Sequence, residues 1–231
     1  MVFFATRGLL TKSYNPVFSE NEWAAIIEAC HANEVPDEWV ADGTCYKDML
    51  INGKNYRIDI IGKNHDDLTD GTGKAPLTFQ LHDCYATTYS MNSSNTNSGG
   101  WTNCAMRTTC LPAILALMPA EVKAAIREVQ KKTSAGSYSS SIQTTNDKLF
   151  LLSEIEIFGS TTYSFAGEGT QYAYYQAGNS TVKNRSGRAY SWWERSPRSS
   201  YSTDFCRVFS AGSANADYAS NSYGVAFCFC F

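Results

Sequence analysis

Residues 192–231 read WWERSPRSSYSTDFCRVFSAGSANADYASNSYGVAFCFCF, and this stretch guides the interpretation of the whole chain. Within it, 18 of the 25 residues at 199–223 are Ser, Ala, Tyr, Asn or Asp, a composition typical of low-complexity linkers. The same composition occurs in antibody paratopes, where tyrosine rings supply contact area at a small entropic cost. Disordered segments contain few bulky apolar residues, whereas this stretch has Trp192, Trp193, Phe205, Val208, Phe209, Val225, Phe227 and Phe229. It therefore predicts a binding surface held on a packed frame.

The size and charge of the chain exclude several classes of partner. A chain of 231 residues can bury a full core, which predicts a domain at residues 41–231 after an N-terminal segment at 1–40. The net charge of -3 gives no reason to expect a nucleic-acid or anionic-membrane partner. The apolar runs at 149–152 and 225–231 are too short to cross a bilayer, so no membrane insertion is expected. Residues 1–10 lack the basic start and the apolar core of a signal peptide.

The eight cysteines allow two interpretations. Their even number would suit the disulfide framework of an exported protein. However, a chain of this length does not need such staples, and several cysteines lie in apolar patterns where Cys acts as a small hydrophobic residue. We therefore favour buried free thiols. No CxxC pair is present, and no ligand spacing indicates zinc or calcium, so we expect no metal and no cofactor.

An N-terminal helix is predicted over about residues 19–32. Ser19 and Glu22 have the spacing of a capping box, in which each side chain accepts a hydrogen bond from the other residue's main-chain N–H. Behind them, one helical face carries apolar residues at the spacing i, i+3, i+4 and i+7, namely Trp23, Ile26, Ile27 and Cys30. Residues 1–18 show no period, and we interpret them as a linker or an arm packed on a neighbour.

The elements that follow indicate an α+β fold. Two strand-like runs flank Asn52-Gly53, a favoured two-residue hairpin turn. A helix beginning near Pro119 is predicted to continue through Val129. The remaining predictions are strands at 44–51, 56–61, 76–82 and 148–158, a helical pattern at 101–117, a loop at 134–145, no regular element at 159–188, and short strands with polar turns at 192–231. Helices followed by a β-rich, loop-rich end are typical of the α+β class.

Three motifs could carry chemistry, and for each we favour a structural role. His65-Asp66-Asp67 has the residue types of a metal or general-base site, but such residues also form turns after strands. His82-Asp83-Cys84 could supply a nucleophile, yet nothing in the sequence indicates an activated thiol. Trp193-Glu-Arg195-Ser-Pro197 combines an aromatic anchor with a fixed positive charge, and we expect Arg195 to pair inside the protein. No catalytic residue is therefore predicted.

The motif Trp192-Trp193-x-Arg195-Ser-Pro resembles the C-terminal module of diversity-generating-retroelement variable proteins. These proteins have a C-type-lectin-like fold within the formylglycine-generating-enzyme-like superfamily. The same pattern continues further along the chain, at residues 205–208, 212, 219 and 223–225. The body of that domain, as it occurs in gut bacteria and their phages, is similar to four earlier segments, at 56–67, 76–85, 99–107 and 147–159. The resemblance covers roughly residues 40–231 and implies a C-type-lectin-like fold.

The resemblance also implies which residues vary. In that family an error-prone reverse transcriptase mutates adenines, so that Asn codons change to those for Ser, Tyr, Asp and others. The implied variable region is 192–231. The implied ligand-binding positions are Tyr201, Thr203, Asp204, Arg207, Phe209, Asn215, Asp217, Tyr218 and Tyr223, and the implied frame is Trp192, Trp193, Arg195, Val208, Gly212 and Val225. We expect Trp193, Val208 and Val225 to be packed, and Tyr201, Asp204, Arg207, Asn215, Asp217 and Tyr218 to be exposed on one face.

The function implied is non-enzymatic binding to a protein or glycan receptor on a host bacterium. A phage tail-tip adhesin, made in the bacterial cytoplasm and carried on the virion, fits best. A display protein on the bacterial cell surface is the alternative. Tail fibres favour homotrimers, although no heptad pattern predicts one here. The rival from another class is a copper-dependent oxidase that uses a cysteine pair; Cys228-x-Cys230 is the only close pair, and its spacing departs from that family's pattern.

Overall fold

The computed structural model describes residues 14–231, and the predictions made for residues 1–13 lie outside the described residues. The α-helices are α1 (Trp23–His31), α2 (Gly100–Asn103), α3 (Leu111–Ala116), α4 (Ala120–Ala125), α5 (Glu154–Phe158) and α6 (Ala173–Gln176). The strands are β1 (Tyr46–Ile51), β2 (Lys54–Lys63), β3 (Leu77–Leu81), β4 (Val129–Gly136), β5 (Ser139–Asp147), β6 (Lys183–Arg185), β7 (Arg188–Tyr190), β8 (Trp192–Pro197), β9 (Asp204–Val208), β10 (Ala214–Tyr218) and β11 (Cys228–Cys230). Short helices with small antiparallel sheets confirm the α+β class. No helix of the described residues is long and apolar enough to cross a membrane.

The predicted hairpin at the start of the domain is confirmed. Strands β1 and β2 pair antiparallel from Tyr46 opposite Asp59 to Ile51 opposite Lys54. The two turn residues between them, Asn52 and Gly53, both have positive φ, at 48° and 77°. These angles are what a two-residue turn needs to match the twist of its strands, and Asn-Gly adopts them easily.

The main sheet joins distant parts of the sequence in the order β1-β2-β3-β11. The last strand pairs with β3, so that Phe229 lies opposite Phe79 and their rings stack at 5.1 Å. Helix α1 covers this aromatic layer, because Trp23 packs edge-on against Phe79 and Phe231 at centroid distances of 6.0 and 6.1 Å. The division of the chain near residue 40 stays a prediction, but residues on both sides of it share one core.

The predicted capping box of α1 is wrong, and the capping box lies elsewhere. Ser19 belongs to a short 3₁₀ turn, and the helix begins at Trp23 with no side-chain cap. Instead, Ser153 and Glu156 form the box at the start of α5: the Ser153 hydroxyl accepts the Glu156 N–H, and the Glu156 carboxylate accepts the Ser153 N–H at 3.0 Å. The strand predicted at 148–158 is therefore wrong, because its second half is this helix.

The predictions for 119–147 are also partly wrong. Helix α4 ends at Ala125, and Val129 begins the hairpin of β4 and β5, where a loop was predicted. The inward side of β4 carries Lys131 and Thr133, which are buried, so the alternation of apolar and polar residues that marks a strand is missing. The turn residues Ser137 and Tyr138 have positive φ, although neither is Gly or Asn. The residues from which a tight turn is usually predicted are therefore missing at these two positions.

All eight cysteines are free, and seven of them are buried. Burial raises the pKa of Cys30, Cys84 and Cys104 to about 12, so these thiols are protonated and unreactive at neutral pH. We expect close to eight titratable thiols in a denatured, non-reduced sample, and much slower reaction in the native protein. A count near zero after denaturation would indicate disulfides and an oxidising compartment instead.

Candidate ligand-binding surface

A second sheet, in the order β10-β9-β8, carries the predicted binding residues. Strands β8 and β9 are buried at every position, whereas every residue of β10 is at least partly exposed. Gly212, in the turn between β9 and β10, has a φ of 90° and contacts Thr181 so closely that an added Cβ would lie 2.7 Å from the Thr181 hydroxyl oxygen. A glycine is therefore needed at this turn. Its predicted frame role fits this geometry.

The predicted packing of the aromatic and aliphatic frame is confirmed. Trp192, Trp193, Val208 and Val225 are completely buried. The two indole N–H groups donate hydrogen bonds to main-chain carbonyls, of Thr181 at 3.0 Å and of Tyr89 at 2.8 Å respectively. Buried indoles with satisfied N–H groups pack like other core aromatics without a desolvation penalty.

Arg195 pairs inside the protein, as predicted. Its guanidinium binds both carboxylate oxygens of Glu156 and also donates to the carbonyls of Leu151, Lys132 and Glu168. The buried Lys131 ammonium lies 2.8 Å from Glu156 and 2.6 Å from Asp66. Burial alone would raise the pKa of Asp66, but the Lys131 charge lowers it to about 2. Asp66 is thus part of a buried charge network and not the turn former that we predicted.

Three aromatic side chains stand out on the surface of this region. Tyr201, Phe209 and Tyr218 are 52%, 41% and 51% exposed. Arg198 lies over the Tyr201 ring at 4.1 Å from its centroid, which limits the motion of the ring. Rigid, partly exposed aromatic rings are typical of binding surfaces. We call these three residues, with Tyr223, the aromatic surface.

Arg207 and Asp217 lie together beside Tyr223. The two charged groups approach to 3.1 Å, the Tyr223 hydroxyl donates to Asp217 at 2.7 Å, and the Arg207 guanidinium lies 4.4 Å from the Tyr223 ring centroid. Arg207 also donates to the Ser191 hydroxyl at 2.7 Å. Its predicted exposure is therefore wrong: these contacts bury the side chain. Asp217 stays partly exposed.

Asp204 is also buried, which corrects a second prediction. Its carboxylate accepts hydrogen bonds from Arg198 at 3.0 Å and from Thr203, which is half-buried, at 2.6 Å. Its main-chain carbonyl accepts a bond from the buried Asn97 amide, which also binds the carbonyls of Arg198 and Tyr201. Asn97 thus anchors the β8–β9 loop. No sequence pattern marks Asn97, because it lies in a polar Ser/Asn/Gly segment.

The predicted binding positions do not all share one face. Asn215 lies opposite Arg207 and Asp217 opposite Phe205, whereas Tyr218 lies opposite Asp204. Successive side chains of a strand point to opposite faces, so Tyr218 lies on the other face of β10 from Asn215 and Asp217. Arg207, Phe209, Asn215, Asp217 and Tyr223 therefore form one group, and Tyr218 lies outside it.

The motifs that suggested chemistry are buried or paired. Burial, as noted, keeps Cys84 protonated, and it also raises the pKa of Cys228 and Cys230 well above the usual thiol range. Cys228 and Cys230 are completely buried, so neither thiol offers an open approach to a metal ion. Within residues 14–231, no group of three or more His, Cys, Asp and Glu side chains is placed to hold a metal ion.

Comparison with known proteins identifies a family without an assigned activity. Residues 77–231 match the family model described as a domain of unknown function, DUF6273. No curated protein matches the chain, and neither does any solved structure. The matched region begins at β3 and extends through β11, and these two strands pair in the main sheet. Because the aromatic surface lies at residues 201–223, the matched region contains all of it. Since the match covers more than half of the sequence, the chain belongs to the DUF6273 family.

Proposed function

We propose that this protein is a non-enzymatic receptor-binding protein that uses the aromatic surface on both faces of β10, with the Arg207–Asp217 pair beside Tyr223 on one face and Tyr218 on the other. One observation carries the proposal: a single forty-residue stretch contains both a completely buried aromatic frame and a set of exposed aromatic residues. Exposed tyrosines among Ser, Asn and Asp are suited to binding, because they supply contact area and adaptable hydrogen bonds together. The frame carries the stability, so the exposed positions can change freely.

The resemblance to retroelement variable proteins supports a diversified version of this surface. Under the proposal, the domain is C-type-lectin-like and adenine mutagenesis changes the ligand-binding positions within 192–231. Gly212 and the buried residues of β8 are the frame that such changes spare. Asp204 and Arg207 fit this scheme less well than the exposed positions, because each holds buried partners.

The proposed partner is a protein or glycan receptor on a bacterial surface. The proposed setting is a phage tail tip, with the protein made in the bacterial cytoplasm and assembled on the virion as a homotrimer. Display on a bacterial cell surface is the alternative setting. The copper-oxidase alternative is disfavoured by the complete burial of Cys228 and Cys230.

Two measurements test the proposal. Sequencing the DNA around the gene is expected to show a near-copy of the segment for 192–231, differing at adenines, beside a reverse-transcriptase gene. In a pull-down on a panel of gut bacteria, Tyr201→Ala and Phe209→Ala are expected to weaken cell binding about tenfold or more. Tyr138→Ala is the matched control, because Tyr138 is 60% exposed on the β4–β5 turn. Equal binding by all variants would contradict the proposed surface, and absence of the near-copy would contradict diversification.

A further inference from the structure

A cleft of about 210 Å³ lies between the β1–β2 hairpin and the β6–β7 turn, and it shares no residue with the aromatic surface. Its walls carry three cationic side chains, Lys54, Arg57 and Arg185, and one carboxylate, Asp83. The Asp83 carboxylate accepts two hydrogen bonds from Asn184, at 2.7 and 3.2 Å. The lining is therefore net positive in a chain whose net charge is -3. Such a concentration of positive charge in a concave site attracts anions.

A buried carboxylate fixes two of the cleft's polar side chains. Asp59 lies 2.7 Å from Arg57 Nε and 2.6 Å from His82 Nδ1. Burial raises the pKa of Asp59, but its bonds to His82 and Arg57 outweigh burial and lower the pKa. Arg57 also stacks on the Tyr46 ring at 3.7 Å. The Nε bond, the stack and a long bond from Nη2 to the Gly43 carbonyl at 3.5 Å hold the guanidinium plane, so its remaining terminal N–H groups are preorganised to bind an oxyanion.

The opposite wall brings further positive charge to the same place. The register of the β6–β7 hairpin sets Arg185 directly opposite Arg188. Like charges in such a pair repel and destabilise the hairpin unless an anion lies near them. Behind the wall, the buried Lys183 ammonium donates to the carbonyls of Leu81 and His82 at 2.6 and 2.8 Å. Burial lowers the pKa of Lys183, and the nearby Asp59 and Asp83 carboxylates only partly oppose this shift. The positive charge of the cleft therefore rests on Lys54, Arg57 and Arg185.

We propose that this cleft binds the carboxylate or phosphate group of a small ligand. Arg57 and Arg185, whose Nε is held by the Ala86 carbonyl at 3.0 Å, bind the anionic group, and Asn55 and His82 line the cleft beside it. The cleft is smaller than the roughly 300–1,000 Å³ of drug-sized pockets, which suits a single small group. The site is independent of the receptor surface, so either one can fail without the other.

Calorimetric titration of the whole chain at low salt tests the site, with glucuronate, glucose 6-phosphate and glucose as probes. We expect one or both anionic sugars to bind at millimolar concentrations and glucose not to bind. Comparison of the affinities for glucuronate and glucose 6-phosphate identifies whether the cleft prefers a carboxylate or a phosphate group. Arg185→Gln and Arg57→Gln are each expected to weaken binding about tenfold to 100-fold, as the loss of a charge-assisted hydrogen bond predicts.

Arg127→Gln is the matched control, because it removes the same charge from a residue outside the cleft. Arg185 lies near a hairpin turn and contributes no buried side chain, so its variant should keep the fold even if Arg57→Gln does not. Failure of both anionic sugars to bind the unaltered protein would overturn the proposal. The proposal would also be overturned if Arg127→Gln weakened binding as much as the cleft variants do, or if glucose bound as well as the anionic sugars. Either result would show that the cationic residues of the cleft do not determine binding.

Discussion

Replacing Glu156 with Gln is expected to lower the free energy of unfolding by about 3–5 kcal/mol. The Glu156 carboxylate neutralises two buried cations, Arg195 and Lys131, and it also accepts the Ser153 N–H of the capping box. The variant leaves Lys131 paired with Asp66 and leaves Arg195 without an ion pair among residues 14–231, with Glu168 acting on its charge only from nearby. Urea unfolding at pH 7, followed by tryptophan fluorescence, measures the loss.

The pH dependence gives a second measure of the same network. Burial would raise the pKa of Glu156, but Arg195 and Lys131 outweigh it and hold the pKa below its usual value. The stabilisation is therefore present above a pH of about 4.3, the unfolded pKa of Glu, and is lost as the pH falls toward the folded pKa. The stability gap between the original protein and Glu156→Gln should shrink over this acidic range. A gap that stays constant would contradict the assigned charge pairing.

Glu194 provides a matched control inside the same core. It is completely buried, and neither carboxylate oxygen has a hydrogen-bond partner among the described residues. Burial, followed by the charges of Glu154 and Glu168, raises its pKa well above the usual value. Glu194→Gln should therefore cost little, and it should gain stability relative to the original protein as the pH rises above about 4.3. Equal losses in the two variants would mean that burial, not pairing, decides the effect.

Trp193→Ala is expected to cost about 3–5 kcal/mol, whereas Tyr218→Ala and Tyr201→Ala should change stability by only about 0.5 kcal/mol. Trp193 is completely buried, packs edge-on against Tyr223 at 5.0 Å, and donates its indole N–H to the Tyr89 carbonyl. The two tyrosines keep about half of their surface in solvent. In a chain of this size each kcal/mol shifts the melting temperature by roughly 2–4 °C.

Melting curves of the three variants therefore separate frame from surface. Trp193→Phe serves as the control for ring packing, because it keeps an aromatic side chain and loses only the indole hydrogen bond and part of the volume. The stability loss of Trp193→Phe should lie between that of Trp193→Ala and those of the two tyrosine variants. If Tyr201→Ala or Tyr218→Ala unfolds the domain, those residues are structural and the proposed surface is wrong.

The sequence predicted elements whose signal is local and missed those that depend on distant partners. The Asn52-Gly53 hairpin was predictable because its turn needs particular residues at two positions. The β4–β5 hairpin was not, since Lys131 is buried only because Asp66 and Glu156 neutralise it from elsewhere in the chain. The capping box was placed at Ser19 instead of Ser153 because the same spacing occurs at both, and only packing distinguishes them.

The candidate surface shows the same limit. Its frame was predictable, because bulky apolar residues among small polar ones must pack somewhere. The burial of Asp204 and Arg207 was not, because it depends on Arg198, Ser191 and the Asn97 amide, and Asn97 lies about a hundred positions away in the chain. The split of the tyrosines between two faces follows from strand register, which a sequence without regular alternation does not fix.

The pairing of β3 with β11 has a consequence for the order of synthesis. Gln80 lies opposite Cys228, so a ribosome must add about 150 further residues before β3 gains this neighbour. Sheets closed by such distant contacts form slowly and expose unpaired edges while they wait. The segment proposed to vary, residues 192–231, ends with β11 itself. Under the proposed diversification, each new variant would therefore be translated almost in full before the main sheet closes, and chaperones would meet a failed version as a nascent chain with an open β3 edge.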